Sequence, residues 1–184
     1  MKVHQWFINS IVTALLGIFV ASMAMADDSL DDLFKRLKAA SPQEAGRIQT
    51  EIQIAWDKSG SAAMDLLLQR GRDALAAGDT VKAIEHLTAL TDHAPDFAEG
   101  WNALATAYFT AGDYGPSVED IGRTLTLNPR HFGALAGLGM ILEEIGKPEK
   151  ALEAYHAALD LNPHLSGIEE RVKQLETDAN GQDL

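Results

Sequence analysis

Beyond its first 26 residues the chain carries five histidines, His86, His93, His131, His156 and His164, and adjacent acid pairs such as Glu143-Glu144 and Glu169-Glu170. These are the side chains that could ligate a metal or move a proton, and their spacing suits neither task. No two histidines stand four apart and no His-Glu-x-x-His run occurs, so no helix would offer the paired imidazoles of a zinc site. Adjacent acids on a helix point about 100° apart and do not converge, which makes them a solvated face rather than an acid–base pair. Serine nucleophile elbows, phosphate-cradling loops and dinucleotide fingerprints are absent, and Gly133, Gly137 and Gly139 fall inside a helical pattern. The chain has no cysteine, which excludes disulfides, thiol catalysis, cysteine-held zinc or haem and a lipidated lipoprotein terminus. The expectation is a non-enzyme with no metal and no cofactor. Its 27 acidic against 15 basic residues, a formal charge of −12, repel nucleic acid and anionic lipid.

What the chain does contain is a period. Shifted against itself by 34 residues, it aligns Gly78, Gly112 and Gly146, then Ala83, Ser117 and Ala151, then Pro95, Pro129 and Pro163. A large residue early in each unit (Leu67, Trp101, Leu135) is followed four positions on by a small one (Gly71, Ala105, Gly139) and then by Ala74, Tyr108 and Leu142. In the second half of each unit the small residue at Ala83, Ser117 and Ala151 precedes a larger one, Leu87, Ile121 and Tyr155. Small residues let helix backbones approach and large ones fill the gap from the next helix, so the alternation is a packing code. The glycines end each first helix in a left-handed residue, and the prolines stop each second helix. A fixed period of this length marks a stacked repeat architecture.

The pattern resembles the tetratricopeptide repeat over three consecutive units, 64–97, 98–131 and 132–165. The resemblance implies an all-α, right-handed α-solenoid of three helical hairpins. The first unit is the least faithful, with Arg70 where Leu104 and Leu138 supply apolar packing. Trp101 and Tyr108 are expected in the core of the middle unit.

Outside the repeats, Met1 to Ala26 reads as a secretory signal peptide: Lys2 begins it, Ile8 to Ala21 is mostly apolar, and Ala24-Met25-Ala26 is a small-x-small site before Asp27. An uncleaved anchor is the alternative, because Trp6 to Met25 is about long enough to span a bilayer. Cleavage after Ala26 would send the chain to the periplasm without a membrane attachment. Residues 27–60 read as an N-terminal helical pair, a cap or a degenerate repeat. Leu30, Leu33, Phe34 and Leu37 make one apolar stripe, and Ala45, Ile48, Ile52 and Trp56 make another after a capping box at Ser41-Pro42-Gln43-Glu44. Arg70 is expected to turn toward an acid there. Residues 166–176 read as a polar capping helix and 177–184 as a loose tail.

In repeats of the resembled type the first helices line a concave groove, which implies a partner-binding surface of Leu68, Arg72, Glu99, Asn102, Thr106, Phe109, Gly133, Ala136, Met140 and Glu143, with Asp65 and Leu75 beside them. Asn102 can both donate to and accept from a peptide amide. The subtype that clamps acidic chaperone C-termini uses lysine, asparagine and arginine, whereas corresponding positions here include Leu68, Ala103 and Gly137. Arg72 alone is basic, so a neutral or basic segment fits better. Burial of Leu68 and Met140 against the terminal helices would instead close the groove. The expected function is a periplasmic interaction scaffold that holds a protein or peptide ligand for envelope assembly or protein maturation. Two rivals stand beside it: a self-associating structural protein, possible as a homo-oligomer, and an accessory factor for c-type cytochrome assembly, which rests on analogy alone.

Overall fold

The computed structural model describes residues 29–182, with side chains through 178; the expected signal peptide lies outside the described residues. All regular structure among them is helical. The chain divides into two compact units, with the boundary after Ile52.

In the first unit, α1 (29–39) buries Leu33, Phe34 and Leu37, and α2 (Pro42–Trp56), whose residues from Gln53 onward belong to the second unit, buries Ala45, Ile48 and Ile52, the two stripes read from the sequence. Arg36 of α1 reaches Glu51 of α2 at 3.5 Å. Half of the expected capping box forms. The Glu44 carboxylate accepts from both the amide (3.2 Å) and the hydroxyl (2.7 Å) of Ser41, and these bonds hold its pKa below the usual carboxylate value.

The second unit holds three hairpins: α3 (Ala62–Ala76) with α4 (Thr80–His93), α5 (Ala98–Ala111) with α6 (Tyr114–Leu127), and α7 (Phe132–Glu144) with α8 (Pro148–Leu161). Each turn between partners passes through a left-handed glycine, Gly78, Gly112 or Gly146, with φ of 77°, 82° and 70°. Asp79 caps α4 by accepting from the Lys82 amide at 3.1 Å. Successive hairpins stack as an α-solenoid, with α4 against α5, α6 against α7 and α8 against α9 (Ser166–Gln182).

The small-to-large code is visible as steric necessity. A Cβ on Gly71 would sit 2.4 Å from Leu87, and one on Gly139 would sit 2.4 Å from the Tyr155 ring. Leu87 and Tyr155 are themselves fully buried. Between them the core runs through Leu68, Leu90, Ala103, Leu104 and Ala107, then Ala105, Ile121, Ala134 and Ile141, and ends at Ala151, Tyr155 and Val172.

Two expectations are corrected here. Trp101 is half-buried and outside these clusters, because its indole N–H reaches out to donate to the Pro95 carbonyl at 2.8 Å and so ties α5 to the preceding turn. Tyr108 packs on the first cluster while partly exposed. The segment 177–184 is not a tail throughout, since the backbone of α9 continues to Gln182, helped by i,i+4 pairs such as Lys173 with Glu169 (2.9 Å) and Gln174 with Asp178 (3.0 Å).

Candidate functional site

The first helices of the second and third hairpins, α5 and α7, do not close on one another. Between them lies a cleft of about 390 Å³. Asn102, Ala105, Thr106, Phe109 and Thr110 of α5 form one wall, and Gly133, Ala134, Ala136, Gly137, Met140 and Ile141 of α7 form the other. The floor is Ser117 and Ile121 of α6. Of the expected groove residues, Asn102, Thr106, Phe109, Gly133, Ala136 and Met140 therefore share one cavity. Met140 is 43% exposed, and Phe109 leans on Tyr114 with ring centroids 5.7 Å apart.

The fold gives Gly133 and Gly137 no internal reason to lack side chains. A Cβ at Gly137 would meet only Ile121, at 3.8 Å, and one at Gly133 would meet the His131 ring at 3.4 Å. Gly137, in the interior of α7, costs roughly 1 kcal/mol against alanine, while Gly133 lies in its first turn. What they provide is a lane of bare backbone along one wall of the cleft.

Four expected groove residues lie elsewhere. Leu68 stands at the register position of Asn102 and Ala136, yet it is buried among Leu87, Leu90, Ala103 and Ala107, because the small residues of α5 let α3 approach. Glu143 accepts from Tyr155 Oη (3.0 Å) and pairs with Arg171 of α9. It borders a separate depression of about 480 Å³ with Glu144, Gly167 and Ile168.

Glu99 and Arg72 are joined in a buried network. The Glu99 carboxylate, 2% exposed, accepts from Arg72 Nη2 at 2.6 Å and from Asn102 Nδ2 at 3.2 Å through one oxygen, and meets His131 Nε2 at 2.9 Å through the other. Arg72 also forks onto Asp57, both bonds being 2.9 Å. Burial opposes the charge on Arg72, but the bonds to Asp57 and the field of Glu99 outweigh it and raise the guanidinium pKa. Arg70, expected to turn toward an acid of the N-terminal pair, is exposed.

His131 caps α7 by accepting the Ala134 amide on Nδ1 at 3.0 Å, which places the ring proton on Nε2 and directs it to Glu99. Trp56 stacks on the same ring, with centroids 4.4 Å apart. The network ties α3, α5 and α7 together at one end of the cleft and holds Asn102 in place. Sequence reading gave His131 no role, counting it only among histidines too far apart to pair on a metal. A signal was present: the register places Phe97 and Leu165 at the equivalent positions, so a histidine there is a polar side chain in an apolar slot.

Among the described residues no group of three or more histidines, cysteines or acids could hold a metal ion, and no helix is long and apolar enough to cross a membrane.

Family models described as tetratricopeptide repeat match residues 68–116 and 133–165. A TPR repeat-containing protein of Rhizobium etli is 38% identical over 147 residues, covering 79% of this chain and 72% of that protein. The small glutamine-rich tetratricopeptide repeat-containing protein 2 of Saccharomyces cerevisiae is 33% identical over 60% of this chain, which spans only 32% of its length. Among solved structures, the first TPR domain of Spaghetti (RPAP3) bound to an HSP90 peptide superposes with a TM-score of 0.61 at 20% identity, covering 64% of this chain and 93% of that one. That likeness is one of fold.

Proposed function

The chain belongs to the tetratricopeptide-repeat family, and from that premise we propose that it is a non-enzymatic scaffold that binds a peptide or protein segment in the cleft between α5 and α7. The observation that carries this reading is the cleft itself. It is mostly apolar, open, lined from two repeats, and cleared by two glycines that the fold does not otherwise need. The similar solved fold that holds a peptide supports it as an analogy of architecture. The proposed location is the periplasm, on the strength of the Met1 to Ala26 leader, and the proposed setting is envelope assembly or protein maturation.

The contact surface in this reading is Asn102, Thr106, Phe109, Gly133, Ala136 and Met140. Phe109 and Met140 supply apolar grip, and Asn102 offers amide chemistry from a fixed position. Arg72, Glu99 and His131 act through the scaffold, by fixing the relative placement of α3, α5 and α7. The test is affinity capture with crosslinking from the native cell, comparing the wild type with Asn102→Ala/Phe109→Ala. A partner held by the wild type and lost by the variant is expected. Identical captures would remove the cleft from the account, and capture of the protein alone would favour self-association.

A further inference from the structure

The hydroxyls that line the cleft have already committed their protons. Thr106 donates to the Asn102 carbonyl at 2.9 Å, Thr110 to the Thr106 carbonyl at 2.8 Å, and Ser117 to the Ala105 carbonyl at 2.8 Å. Asn102 is oriented by Glu99, because a carboxylate only accepts; Nδ2 must face it, which leaves Oδ1 with no donor among the described residues. Thr106, Thr110 and Asn102 thus stand along α5 as hydrogen-bond acceptors. The one lining side-chain N–H left over is the second hydrogen of Asn102 Nδ2. A ligand acceptor would have to break an existing hydroxyl–carbonyl bond, within α5 for Thr106 and Thr110 and from α6 to α5 for Ser117, whereas a ligand donor would break nothing.

Charge points the same way. The two walling helices carry Glu99, Glu143 and Glu144 and no lysine or arginine. Arg72, the nearest base by register, is held between Asp57 and Glu99, and the whole chain is at −12. Glu99 is paired with Arg72 and Glu143 with Arg171, so the free acid at the cleft end is Glu144. A carboxylate would find no cation among the cleft's lining residues and a net negative chain around it, while a cation at the cleft's flank would be drawn in.

Building on the reading that this cleft binds a peptide, we propose that its ligand is an extended segment free of carboxylates: small apolar side chains over Gly133 and Gly137, main-chain N–H groups on the acceptors of α5, and lysine or arginine at its flank. The bare lane at Gly133 and Gly137 lets a backbone lie close to α7. Phe109 and Met140 would then bracket one apolar side chain. A C-terminal carboxylate is excluded as the anchor.

The test is selection from synthetic hexapeptide libraries, one amidated and one with free C-termini, on the full-length chain and on Gly137→Leu. Thermal melts verify that the variant is folded, and Ala136→Met serves as a second blocking variant. The pool retained by the wild type and lost by the blocking variants should be apolar at its centre, rich in lysine or arginine and poor in aspartate and glutamate. The best binder should lose roughly 10-fold in affinity when its central amides are N-methylated, at a few-fold per hydrogen bond. Thr106→Val/Thr110→Val, near-isosteric at exposed positions, should weaken binding about as much. A pool rich in acids or free C-termini that is still lost by Gly137→Leu, or a binder indifferent to N-methylation, would overturn this ligand class while leaving the cleft as the binding surface. Pools identical between wild type and both blocking variants would overturn the cleft and the ligand class together.

Discussion

Removing Arg72 should unsettle the molecule more than its half-exposed guanidinium suggests. Its side chain is 32% exposed, but the carboxylate it serves, Glu99, is 2% exposed. At a charge separation of about 4 Å and an effective dielectric near 20, the pair interacts by about 4 kcal/mol. Desolvation offsets part of that in the intact protein, so the pair's net worth is smaller. Arg72→Met leaves Glu99 buried with only His131 and Asn102 as neutral donors, and an orphaned buried charge costs about 3–5 kcal/mol. Exposure of the Arg72 side places the expected loss near the bottom, about 3 kcal/mol, or roughly 6–12 °C in a chain of this size. Glu99→Met should cost a similar amount, because it strands Arg72 against Asp57 alone and leaves His131 Nε2 without its acceptor. The double variant should recover part of both losses, with a coupling of about 2 kcal/mol in urea unfolding. Strict additivity, or singles costing under about 1 kcal/mol, would refute the idea that this network holds the three helices together.

Other expectations follow from single positions. Gly139→Ala should destabilise by about 1–3 kcal/mol, because the new methyl meets the rigid Tyr155 ring, whereas Gly137→Ala should stabilise by up to about 1 kcal/mol; thermal melts that show the same sign for both would contradict the packing account. Asp120 is 7% exposed with Oδ2 unpartnered, and burial, followed by the field of Glu119 against an opposing Arg123, raises its carboxyl to about 6. The unfolded carboxyl titrates near 3.9, so between about pH 4 and 6 the folded state holds a proton that the unfolded state has released. The stability it contributes is present below that window and lost as pH rises through 6. Asp120→Asn should therefore gain about 2–3 kcal/mol at pH 7 and little at pH 4, and an equal gain at both values would contradict it. Asp79→Ala should cost about 1 kcal/mol through the lost α4 cap, measured by urea denaturation; no change would show that the cap is not limiting.

The parts of this fold that sequence made legible are those set by local chemistry repeated three times. Left-handed glycines, stopping prolines and the pairs Gly71 with Leu87 and Gly139 with Tyr155 each recur at one spacing, so every copy supports the others. The cleft was legible in its middle, where the register of α5 and α7 places Asn102, Thr106, Phe109, Gly133, Ala136 and Met140 together. It failed at the first repeat. Leu68 occupies the same register position as Asn102, but whether that position faces a cleft depends on how near the next helix comes, and the alanines of α5 bring α3 in. The network of Arg72, Glu99 and His131 escaped because its members sit on α3, on α5 and at the N-cap of α7 and meet only after stacking. No helical wheel contains it. The position of Trp101 was misread for a related reason: its indole N–H finds a backbone acceptor at Pro95, and an amphipathic ring follows its polar tip outward.

The central claim is that a partner segment lies between α5 and α7. A photo-crosslinking amino acid placed at Thr110, on the rim of that cleft, and in a second strain at Val81, an exposed position on α4 outside the cleft, tests it directly in the native cell. Illumination should give a discrete adduct from position 110 that disappears with Gly137→Leu, and none from position 81. Equal adducts from both positions, or an adduct at 110 that survives Gly137→Leu, would contradict the claim.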